Sequence, residues 1–233
     1  GYLVRLVLAK NLSVEEFGLF YAVFAFLGLI GLFKSLGMDK ALAKFIPEFL
    51  HERRNDRIKN AIFYVFFVQL VTNSVVVLGA YLFASYLSVN FFHNAQAAII
   101  LKLMAIAFFI DGFTLALKFT FQGFQKMSYF AGIDLVRMAL ILIAVIIGFR
   151  LSYGIYSPVV AYILVPIVLM IIFAYLFVKK VFPGFHSSKF YAEKGMLLKK
   201  YWELFRDRFL ESQKDDGSIL VPAPENAVMP FDD

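Results

Sequence analysis

The chain has no cysteine, a single tryptophan and three histidines, and only 17% of its 233 residues are charged. Without cysteine there is neither a disulfide framework nor a thiolate metal site. His51, His93 and His186 are scattered with no ligand spacing between any two, so no metal site is expected from them. A glycine-rich phosphate loop, a Gly-x-Ser-x-Gly elbow and a His-Glu-x-x-His run are all missing. An ATP-driven pump, a serine hydrolase and a zinc protease thereby lose their signatures, and the residues call for no cofactor and no enzymatic activity.

What the chain has instead is apolar mass. Hydrophobic residues make up 61% and aromatics 18%, and mean hydropathy is +0.75, well above the apolar share of a soluble domain. The apolar residues fall in runs of about 20, the length that crosses about 30 Å of hydrocarbon as a helix. The runs do not alternate apolar and polar residues as barrel strands would. An all-α integral membrane protein, a multi-span helical bundle, is therefore expected.

Five whole spans are predicted at 17–33, 61–89, 97–121, 129–149 and 157–178. Residues 1–9 are too short to cross and read as the remnant of a truncated first helix, which makes the chain look like a fragment. Residues 181–211 place apolar side chains at helical spacing with Lys and Arg between them, as in a segment lying on the inner membrane surface. Residues 212–233 are acidic and proline-bearing, the composition of a disordered tail.

The net charge of +6 is gathered between apolar runs, a membrane-protein pattern that argues against nucleic acid as a partner. Arg53, Arg54, Arg57 and Lys59 crowd one link of 40–59, Lys126 sits in another, and Lys179 and Lys180 follow the last span. The intervening links hold at most one Arg. Under the positive-inside rule these residues are topology anchors that place the basic links in the cytoplasm of a multi-pass protein of the cell membrane.

Two stretches carry a resemblance. "LAKNLSVEEFGLFYAVFAFLGLIGLFKSLGMDKALAKFIPEF", from Leu8 to Phe49, is similar to the first outer loop, second helix and following elbow of the polysaccharide and oligosaccharide flippases. "FTFQGFQKMSYFAGIDLVRMALILIAVII", ending at Ile147, resembles their fourth-to-fifth hairpin. Those proteins form the Wzx-like branch of the MATE-like transporter superfamily. The resemblance implies one six-helix lobe of a larger transporter, which moves lipid-linked oligosaccharide or polysaccharide units across the bilayer. Its implied partners are the membrane lipid, the lipid-linked glycan and glycan-assembly enzymes. A cation-coupled multidrug exporter of the same superfamily and a non-transporting scaffold subunit are the alternatives.

Charge inside an apolar span is expensive and marks where function or packing is at stake. Asp111 and Lys118 lie in the fourth predicted span, Asp134 and Arg137 in the fifth. Counting from a turn near Gly123 to Gln125 puts Asp111 level with Arg137, and Lys118 near Asp134. These four either line a substrate or ion pathway or neutralise one another across the helices. Gln69, Thr72 and Asn73 form a polar patch in the third span, read first as packing and second as pathway lining. Gly28 and Gly31 would allow close helix approach, and Pro166 is the candidate for a kink.

Overall fold

A computed structural model describes residues 2–31 and 38–183, all within one compact unit. Every regular element among them is helical: α1 (Tyr2–Asn11), α2 (Val14–Gly31), α3 (Met38–His51), α4 (Asn55–Asn90), α5 (Gln96–Gly123), α6 (Met127–Arg150) and α7 (Tyr156–Leu176). A π-helical turn, Phe177–Val181, extends α7. Of these, α2, α4, α5, α6 and α7 with its π turn are long and apolar enough to cross a membrane. The segments read from sequence at 181–211 and 212–233 lie outside the described residues from position 184 onward, as do the last two residues of the 17–33 window.

Local chemistry sets the boundaries. Ser13 and Glu16 form a capping box at the start of α2: Glu16 N–H donates to Ser13 Oγ at 3.2 Å, and Ser13 N–H donates to Glu16 Oε2 at 3.0 Å. At the other ends the chain reverses through left-handed residues. Arg53, Gln125 and Ser152 have φ of 55°, 57° and 62°. At the first, Arg53 N–H bonds Leu50 O and Arg54 N–H bonds Phe49 O. Gln125 with Lys126 and Ser152 with Tyr153 repeat this pair of bonds, the Schellman closure that satisfies the last carbonyls of α3, α5 and α6.

The basic link of 40–59 is corrected in its form. Most of it is helix, and the reversal narrows to Glu52–Arg54. The α3 sequence "MDKALAKFIPEFLH" places Asp39, Ala41, Leu42, Phe45, Ile46 and Phe49 on one buried face, while Lys40, Lys44 and Glu48 are exposed. A short amphipathic helix inside a membrane protein escapes a hydropathy window because its polar face dilutes the average. The buried face docks on α4 and α5, and α3 and α4 run antiparallel.

The dock against α5 is close. A Cβ on Gly123 would sit 2.8 Å from Ile46 Cβ and 2.9 Å from Leu42 O, so only glycine fits there. Gly148 likewise faces Ser157 at 2.8 Å, and Gly31 faces the Phe108 ring at 2.8 Å. Gly28, by contrast, has nothing within 4 Å and borders open space.

Helix α5 is the hub, with α2, α3, α4, α6 and α7 all against it. At one end of the bundle an aromatic cluster ties the α5–α6 reversal to the π turn. Phe124 lies 5.3 Å from Phe177 and 5.5 Å from Phe182, ring centre to ring centre, and Phe121 stacks on Tyr129 at 5.2 Å. At the opposite end Asn94 Nδ2 donates to Glu15 Oε1 at 3.4 Å, joining the α4–α5 link to the start of α2.

Candidate functional site

The four charges expected near one another come together across the α5–α6 hairpin. Arg137 Nη2 lies 2.8 Å from Asp111 Oδ1, and Lys118 Nζ pairs with Asp134 Oδ2. Antiparallel helices leaving a tight turn meet at equal residue counts: Asp111 lies about 18 Å from the α5 end and Arg137 about 15 Å from the α6 start, at 1.5 Å per residue. Each α6 charge reaches across to α5 instead of pairing along its own helix. Lys118 also sits over the Phe130 ring, 4.4 Å from its centre, so the ring face adds to the attraction.

The Asp111–Arg137 pair forms one wall of a cavity of about 120 Å³ among α2, α5, α6 and α7. Phe24, Leu27 and Gly28 supply the α2 wall, Met104, Ala107 and Phe108 flank Asp111, and Tyr162 closes the α7 side. The Tyr162 ring lies 5.4 Å from that of Phe24. Pro166, one turn beyond Tyr162, has no N–H with which to bond the Tyr162 carbonyl. Its own carbonyl accepts a bond from Thr114 Oγ1 at 3.3 Å, so α5 and α7 are tied where the α7 ladder is interrupted. The site thus offers a carboxylate, a guanidinium and a phenol in an otherwise apolar pocket.

Gln69 and Asn73 lie elsewhere. Both are fully buried, and they form a chain: Asn73 Nδ2 donates to Gln69 Oε1 at 3.1 Å, and Gln69 Nε2 donates to Asp39 Oδ1 at 2.6 Å. Asp39 is 3% exposed and was not among the residues singled out from sequence. The signal was present: a carboxylate in the first turn of a segment whose other face is apolar. Thr72, the third member of the predicted patch, turns back to its own helix and donates to Val68 O at 3.0 Å.

The basic residues read as topology anchors sit at the α3–α4 reversal. Arg57 Nη1 lies 3.3 Å and Arg54 Nε 3.9 Å from Glu52 Oε2, all part-exposed. Among the described residues no group of three His, Asp or Glu side chains is placed to hold a metal ion.

Comparison with known proteins places the chain in a family. Residues 1–209 match the family described as "Polysaccharide biosynthesis protein". The chain belongs to that family. Among curated proteins, this family member is similar to an uncharacterized membrane protein of Methanocaldococcus jannaschii. It is 32% identical over 201 residues, covering 81% of this chain and 39% of that protein. A second relative is an EPS I polysaccharide export inner membrane protein of Ralstonia nicotianae, 32% identical over 146 residues, which cover 62% of this chain and 32% of that protein. The chain thus spans less than half the length of the curated relatives it matches. No solved structure matches it. With five long apolar helices and membrane-protein relatives, this family member is a multi-pass membrane protein.

Proposed function

We propose that the chain is one lobe of a flippase that moves lipid-linked oligosaccharide or polysaccharide units across the cell membrane, with its basic turns on the cytoplasmic side. The observation that supports this most is the position of Asp134. It lies about 10 Å into an apolar helix, is ion-paired with Lys118, and yet 47% of its side chain is exposed. A carboxylate cannot face hydrocarbon at that depth without a large cost. The face of α6 that carries it therefore belongs against water or polar protein, as the wall of a hydrated passage does. Helix α6 is the least covered of the five long helices among the described residues.

In this reading the sugar and phosphate headgroup crosses in the passage while the lipid tail stays in the bilayer, because neither sugar nor phosphate enters hydrocarbon unaided. Lys118 and Arg137 supply positive charge toward a phosphate, and Asp111 and Asp134 hold those cations in place until it arrives. Gln69 and Asn73 are left to packing, since both are closed off from any opening. Glycan-assembly enzymes are the partners such a lobe would serve, and no covalent step is required of it.

The test is reconstitution of the full-length protein in vesicles with a fluorescent lipid-linked glycan. Headgroup movement above protein-free vesicles is the expected result. Movement equal to protein-free vesicles, from protein shown to be folded, would sink the proposal.

A further inference from the structure

Outside the hairpin charges, α5 carries a further cation within its apolar run. Lys102 sits about 9 Å from the start of α5, half-buried, and no carboxylate among the described residues pairs with it. Its ammonium stands over the Tyr81 ring, 5.7 Å from the centre. Tyr81 in turn lines a groove of about 520 Å³ on the outer surface of the α4–α5 pair, so Lys102 stands beside it. Ser74, Val77, Leu78 and Tyr81 line it from α4 at the i, i+3, i+4, i+7 spacing of one helix face, and Ile106 and Phe109 line it from α5. Lys102 precedes Ile106 by one turn on the same α5 face.

We infer that this groove is a binding site for an anionic phospholipid of the surrounding bilayer, with one hydrocarbon chain lying along α4 and α5 and the phosphate ester held by Lys102. Charge and shape agree on that occupant. An unpaired ammonium at this depth is relieved by an anion or by reaching the headgroup layer, and a lipid phosphate supplies both at once. The groove below it is almost wholly apolar, its lining side chains carrying only the Ser74 and Tyr81 hydroxyls as polar groups. An aliphatic cavity of about 150 Å³ takes up a benzene, so this groove has room for a much longer stretch of chain. Tyr81 contributes an amphipathic ring at the boundary between headgroup and chain.

The groove shares no lining residue with the Asp111–Arg137 cavity and opens on the α4 side of α5. A lipid seated there is a resident, outside the proposed headgroup passage. The inference is independent of transport and is tested without it.

The full chain, purified in a neutral detergent, is titrated with phosphatidylglycerol and with phosphatidylcholine of identical chains, and bound lipid is counted by native mass spectrometry. The wild type is expected to hold phosphatidylglycerol about fivefold more tightly, the factor that one basic residue contributes at an anionic lipid surface. Lys102→Gln should abolish the preference, and Lys102→Arg should keep it. Leu78→Trp, at a position 61% exposed, should fill the groove and lower retention of both lipids. It remains informative if Lys102→Gln fails to fold. Equal retention of the two lipids by the wild type, or unchanged retention in folded Lys102→Gln or Leu78→Trp, overturns the site. Tighter, Lys102-dependent retention of a polyprenyl phosphate than of phosphatidylglycerol overturns the bilayer phospholipid as its occupant.

Discussion

The two sides of α5 handle polar groups in opposite ways. Where α3 docks on α4 and α5, away from Lys102 near the other end of the α4–α5 seam, the polar groups are amides and one carboxylate, joined in a chain and closed off: Asp39, Gln69 and Asn73 are at most 3% exposed. Toward α6 they are full charges, paired one to one, and open: Asp134 and Lys118 are 47% and 16% exposed, Arg137 and Asp111 28% and 22%. A closed site tolerates polarity largely by satisfying it internally, since every unmatched donor or acceptor there bears its full desolvation penalty, as the unpartnered Asn73 Oδ1 does. An open site tolerates charge because water or a ligand can reach it. On the proposed function, the α3 dock serves as scaffold, and the α5–α6 side is where a substrate competes for a partner.

The sharpest way to break this contrast is at its deepest ion pair. Asp111→Ala should destabilise the protein by about 3 kcal/mol, because it strands the Arg137 guanidinium in a part-buried pocket. The double change Asp111→Ala with Arg137→Met should recover most of that loss in a thermal-unfolding measurement in detergent. If transport stays absent in the recovered double variant, the pair serves the passage as well as the packing. If transport returns with folding, its role is packing alone.

On the closed side, Gln69→Leu removes both bonds of the chain at once and should cost about 2 kcal/mol, read from the same unfolding curves, with function returning when the protein is restabilised. Gly123→Ala should cost about 1–3 kcal/mol through the Ile46 and Leu42 contacts, by loosening α3 from α5. A larger effect on transport than on stability would blur the division between scaffold and passage. Lys118→Met should be milder, below about 1 kcal/mol, since its partner is half in solvent, yet it should lower the rate of headgroup movement in vesicles. The smallest effect is expected at Gln125→Gly. Relief of the left-handed strain offsets the added freedom of the unfolded chain, and Tm should move by only a degree or two, upward if strain dominates.

How much of this was legible in the sequence depends on which physical signal each element carries. The long helices announce themselves through runs of apolar residues that need no partner to be recognised. The cross-helix pairs Asp111–Arg137 and Lys118–Asp134 followed from counting residues on either side of a tight turn. Helix α3 did not follow in the same way: its burial depends on a face that only periodicity reveals, and its two lysines, with the arginines that come after it, pointed to a solvated link. Asp39 was hidden for that reason, although its partner Gln69 was visible as a polar residue in an apolar run. Of the glycines, Gly28 and Gly31 were singled out together and only Gly31 meets a neighbour closely, whereas Gly123 and Gly148 owe their importance to residues on other helices, Ile46 and Ser157. The cavity could not be read at all, because its walls come from four helices whose relative rotation no one-dimensional pattern records.

Helix α4 has 36 residues, which at 1.5 Å each makes a rod of about 54 Å. Its polar start, Asn55 to Asn60, leaves an apolar remainder of about 45 Å, half as long again as the roughly 30 Å of hydrocarbon in an average bilayer. Such a rod must lean steeply, push its outer end into the headgroup layer, or draw thicker lipid around itself. The energy of each choice depends on membrane thickness, so α4 acts as a gauge. The protein should partition toward the thicker patches of a mixed membrane and should stiffen or tilt as its lipid is exchanged for shorter-chain or longer-chain species.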